Sequence, residues 1–231
     1  MSEQDTYVML IASLPSSEAL FLAKKPPLSR IKLESRLRVL EPEDATVLHL
    51  VEETLNWNEF PIDTPDEEVV RRARRAVATI ESPTLRDLIR DRLEMRTALA
   101  ALRRRAAGED PPAPDRVWGF GRWTGHTARH WNDTAFGLDG TLPWLREAAS
   151  LLASGDAVGL ERLILRRSHT LLQRYGDRHT FDLEAVVIYV LKWNIFDRWA
   201  RTNAHAAVRR FEDLTEAGLA DYASLSFEGE A

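Results

Sequence analysis

In the segment HTFDLEAVVIYVLKWNIFDRWA, His179 to Ala200, seven apolar residues run without a charge between Glu184 and Lys192. Crossing a hydrocarbon core of about 30 Å takes roughly 18 such residues, so the run is not a membrane span. Wound as a helix at about 100° per residue, the run points its side chains to every side. Protein must therefore cover the middle of the segment nearly all round, and the segment reads as a central core helix. Thr180 is placed to cap it, with Asp182 and Glu184 in the first turn, where the helix dipole favours negative charge. Lys192 has Ile188 and Phe196 four residues to either side, neither an acid that could pair with it along the helix. It must snorkel to water or meet a distant carboxylate.

A chain of 231 residues can bury such a helix, in one larger domain or two small ones. Cysteine is absent, which removes disulfides, thiolate chemistry and cysteine-ligated zinc, and fits a reducing compartment. The opening MSEQDTYVMLIASLPSSEAL is polar and acidic before a short apolar stretch, Tyr7 to Ala12, and carries no secretory signal pattern. A net charge of −5 argues against bulk attraction to nucleic acid or to an anionic membrane surface. Trp118, Trp123, Trp131, Trp144, Trp193 and Trp199 all lie in the C-terminal half, which assigns most of the aromatic packing to that half.

Along the chain, Tyr7 to Ala12 is expected to be a strand or an extended lead-in, ended by KKPPLS. A helix restarts at Ser29 and is broken and restarted at Glu41-Pro42, with Val47, Leu48, Val51 and Leu55 on one face of the second piece. The two pieces are expected to form a hairpin. TPDE, Thr64 to Glu67, matches a capping box with proline at the first helical position. Ser82-Pro83 opens a long helix with an apolar stripe of Leu85, Leu88, Ile89, Leu99 and Leu102, stopping at Gly108. Three regions follow: an N-terminal helical region, 1–107; a proline-rich linker or loop, 108–116; and a C-terminal helical region with a tryptophan-rich core, 117–231. They leave open one continuous domain. Helical patterns recur from Leu142, from Leu160 and from Asn203, with no sustained alternation of period two, so the fold class is all-α.

Chemistry is sparsely signalled. In GHTARHWND, His126 and His130 stand four residues apart with Asp133 three further on, a spacing at which two imidazoles and a carboxylate could face one divalent metal. The stretch lacks the glutamate next to the first histidine that a zinc protease uses as general base, and Gly125 and its neighbours leave its helicity open. His49, His169, His179 and His205 have no partner in sequence that signals a relay and read as surface or helix-end residues. No nucleophile elbow, phosphate-cradling loop or cofactor-binding motif is present. Two basic clusters, Arg71 to Arg75 and Arg103 to Arg105, could grip phosphates, yet the first follows an acidic helix start and the second lies where cations complement a helix C-terminus.

Three blocks carry a resemblance: YVMLIASLP with KPPLS shortly after, NDTAFGLDGTLPWL, and HTFDLEAVVIYVLKWNIFDRW. Together they resemble a bacterial family of uncharacterised proteins encoded with V-type ATPases, which is more remotely similar to the C subunit of V/A-type ATPases, subunit d in eukaryotes. The resemblance implies a shortened, all-helical, non-enzymatic adaptor that joins the central rotor shaft to the membrane ring of proteolipid subunits. It implies no cofactor, no nucleic acid, and a place on the cytoplasmic face without direct membrane insertion. On that reading the first surfaces to consider are Arg71, Arg72, Arg74 and Arg75 and the loop from Trp118 through Trp123 to Trp131, because exposed arginine and tryptophan are favoured at interface hot spots. The alternatives are a metal-dependent enzyme built on His126, His130 and Asp133, and a nucleic-acid-binding regulator using the arginine cluster.

Overall fold

A computed structural model describes residues 3–16, 20–22, 25–56 and 64–202. These form helices α1 (Glu3–Ser13), α2 (Arg30–Leu37), α3 (Pro42–Leu55), α4 (Asp66–Thr79), α5 (Pro83–Ala106), α6 (Thr124–Arg129), α7 (Trp144–Ala153) and α8 (Ala157–Gly176). A final helix, α9, spans 183–202, and no strand occurs among the described residues. The fold is all-α. The helical pattern from Asn203 onward lies outside the described residues.

The apolar run settles where the core sits. Val186, Val187, Ile188, Val190 and Leu191 are all buried, as are Trp193, Ile195, Phe196 and Trp199 further along α9. Around them lie Tyr7 and Leu10 of α1, Leu33 of α2, Leu48 and Val51 of α3, Ala73 and Val77 of α4, Leu85 to Leu93 of α5, and Leu165 and Leu172 of α8. A second cluster takes over at the other end of α5: Ala98, Leu99, Ala101 and Leu102 meet Trp118, Trp131, Phe136, Leu145 and Leu160. Helix α5 thus belongs to both clusters, and so does α8. Gly108 to Arg116 is irregular and largely exposed, and it does not separate two cores, because residues before and after it share the first cluster.

Local chemistry explains several helix ends. Ser29 caps α2 through Lys32 N, and Ser82 caps α5 through Leu85 N at 3.3 Å with Pro83 in the first turn. Helix α5 stops where Gly108 turns left-handed at φ 81°. Arg30 at the start of α2 grips Glu52 near the end of α3, at 2.9 and 3.2 Å, which ties the open end of the expected hairpin.

Three expectations are corrected. Tyr7 to Ala12 is helical, within α1; the run is apolar on all sides, so periodicity could not separate helix from strand. The TPDE box does not form: Pro65 takes the extended cap position, no side chain caps α4, and the helix begins one residue later than expected. Thr180 does not cap α9. Asp182 does, its Oδ1 accepting from Ala185 N at 2.9 Å, because the helix starts only after it.

Candidate functional site

The glycine- and tryptophan-rich loop is largely interior. Trp118 is 7% exposed and meets Trp131 edge-on at 6.3 Å between ring centres; Trp131 in turn lies 5.5 Å from Phe136. Trp118 is therefore a core residue rather than an exposed contact, and Trp123 is half-buried under the Arg122 guanidinium at 5.5 Å. The reason is the second cluster, which needs large rings to fill the space between α5 and α7.

Behind the tryptophans the backbone is strained. Ala135, Phe136 and Gly137 all have positive φ, 51°, 56° and 65°, a left-handed turn of which only the glycine is comfortable. Arg105 holds it. One guanidinium nitrogen donates to the carbonyls of Trp131 at 2.9 Å and Asp133 at 2.6 Å, and the group lies 4.4 Å over the Phe136 ring. Burial there lowers the Arg105 pKa. This accounts for one member of the second basic cluster; Arg104 forks onto Asp66 of α4 at 2.8 Å to each oxygen.

The predicted metal trio is not assembled. Helix α6 ends at Arg129, so His130 falls at its C-cap and Asp133 in the turn beyond. The imidazoles of His126 and His130 stack at 4.3 Å instead of converging, and His130 Nδ1 is spent on Asp133 at 2.7 Å. His126 Nε2 and Trp123 Nε1 are buried without a hydrogen-bond partner. Among the described residues, the group of three possible ligands that does converge, with ligand atoms within 4.8 Å of one another, is His179, Asp182 and Glu184. Its members already have structural tasks. His179 bonds Asp182 at 2.8 Å and Thr84 at 3.1 Å, and Glu184 accepts from Ser82 at 2.5 Å, so the start of α9 is laced to the start of α5. Nothing local could have revealed this, since the partners lie about a hundred residues apart.

The α4 arginines stand as the sequence places them. Val70, Ala73, Ala76 and Val77 face the core, and Arg71, Arg72, Arg74 and Arg75 are exposed on the opposite side. Arg71 and Arg72 both bond Glu68, whereas Arg74 and Arg75 have no carboxylate partner among the described residues. Elsewhere, Val8 and Met9 expose apolar surface on α1. No described helix is long and apolar enough to cross a membrane. Compared with protein families, curated proteins and solved structures, the chain finds no match.

Proposed function

We propose that the chain is a non-catalytic subunit or accessory protein of a V-type ATPase, a C/d-like adaptor between the central rotor shaft and the proteolipid ring. The observation that carries this reading is the course of α5, which runs through both apolar clusters and joins them into one all-helical body. A coupling part has to pass torque without bending far, and close-packed helices sharing one long strut supply that stiffness. The three resembling blocks fall on α1 with the lead-in of α2, on the left-handed turn with the start of α7, and on α9, and each contributes buried residues to one of the two clusters. Arg74 and Arg75, exposed and without a carboxylate partner among the described residues, offer a partner two cations at the surface.

The enzyme alternative on His126, His130 and Asp133 draws no support from stacked rings. The test is affinity purification of the tagged chain from gently solubilised native membranes, with mass spectrometry of what accompanies it. Shaft and proteolipid subunits are the expected companions. A lone chain, recovered without any ATPase subunit, would overturn the proposal.

A further inference from the structure

Lys192 sits on α9 in the midst of the first apolar cluster, with Leu191 and Trp193 on either side of it and Ile188 and Phe196 one turn away, all buried. Its own side chain is half-buried. It reaches the last turn of α8, where the ammonium stands 3.5 Å from the position a Cβ would take on Gly176. That glycine is helical and not left-handed, so backbone conformation does not require it; its missing side chain leaves an opening beside the amine.

The ammonium makes no hydrogen bond or ion pair among the described residues. It is not sealed in either, since the buried side-chain nitrogens and oxygens that lack a partner there are Trp123 Nε1 and His126 Nε2. Burial lowers the pKa of the amine, and Asp177 at the end of α8 only partly opposes this. His169, two turns back on α8, feels the Lys192 charge in turn. A lysine that is partly desolvated, unpaired and still open to solvent is more nucleophilic at neutral pH than one in water, because more of it is uncharged. The other lysines of the chain are Lys24, Lys25 and Lys32, of which Lys25 and Lys32 are exposed.

We propose that Lys192 is a covalent modification site, acylated at Nζ by small acyl phosphates. The amine lone pair attacks the carbonyl carbon, the carbon–oxygen bond to phosphate breaks with its electron pair, and the proton shed by nitrogen leaves on the phosphate. The product is a neutral amide. Acylation removes an ammonium whose desolvation is costly, and with it the charge that helps to lower the pKa of His169. The space that Gly176 leaves beside Nζ favours a small acyl group. The site stands apart from the ATPase reading: co-purification and acylation can fail separately.

The test treats the full chain with acetyl phosphate at neutral pH and follows each lysine by peptide mass spectrometry. Lys192 should be acetylated at least about threefold faster than Lys25 and Lys32, and unfolding the chain in urea should abolish the preference. Gly176→Ala, which places a methyl 3.5 Å from Nζ, should slow Lys192 and leave Lys25 and Lys32 unchanged. Acetylation should also move the titration of His169, followed by NMR, toward higher pH, and Lys192→Gln should reproduce that shift without reagent. A rate at Lys192 no higher than at the exposed lysines would overturn the site, as would a preference that survives in urea or that Gly176→Ala leaves untouched.

Discussion

Trp193 Nε1 donates a buried hydrogen bond of 2.8 Å to the carbonyl oxygen of Leu28, a partner 165 positions earlier in the chain. The bond anchors the proline-rich lead-in of α2 onto α9. Replacing Trp193 with Phe keeps an aromatic ring but leaves that carbonyl buried without a donor and a gap beside it, at a cost of about 2–3 kcal/mol. Urea unfolding should show it as a lowered midpoint with an unchanged slope.

Gly121 has φ 114°, a conformation that side chains rarely adopt, and a Cβ there would overlap Glu94 Cγ. Glu94 cannot give way freely, since it bonds Arg122 at both the backbone N–H, 3.0 Å, and Nε, 3.1 Å. Gly121→Ala is expected to destabilise by about 2 kcal/mol or more. A variant as stable as wild type would show that the loop is not clamped to α5 in this way.

The Asp66–Arg104 fork joins the start of α4 to the end of α5 with both side chains about a quarter exposed. A double-mutant cycle with Asp66→Asn and Arg104→Met should give a coupling of about 1 kcal/mol that shrinks as salt rises. Zero coupling at low salt would reduce the pair to a surface coincidence.

His169 lies edge-on to Phe196 at 5.9 Å, and burial, then the charge of Lys192, lowers its pKa below the ordinary 6.5. The unfolded chain therefore takes up the proton first as pH falls. Stability is full above about pH 6.5, declines as pH drops toward the folded pKa, and levels off below it. Denaturation midpoints of wild type and His169→Phe, followed between about pH 5 and 7, should diverge on the acid side, the variant losing less.

If Arg74 and Arg75 meet a partner, Arg74→Glu with Arg75→Glu should cut recovery of ATPase subunits about tenfold or more while stability changes by no more than about 0.5 kcal/mol. Full recovery with the reversed charges would move the contact surface elsewhere.

Much of this fold is legible in sequence, and the reasons differ by element. The α5 stripe and the α9 run announce themselves because helical periodicity and an unbroken apolar stretch are local properties. Helix α1 is not legible, since Val8 and Met9 keep its outer side apolar and exposed and so erase the pattern. The start of α9 is set by contacts far apart in sequence: the bonds that accompany capping by Asp182 rather than Thr180 include His179 to Thr84 and Ser82 to Glu184, 95 and 102 positions apart. The candidate sites are harder still. Exposure of the tryptophans depended on what α5 presents to them.

The first cluster closes only when α9 is in place, since its buried residues run from Tyr7 to Trp199. At the ribosome's roughly 5–20 residues per second, the apolar faces of α1 to α5 must wait on the order of 5–20 s after α5 has been made. Newborn chains therefore pass through an interval of exposed greasy surface, in which assembly with a partner or shielding by a chaperone competes with aggregation.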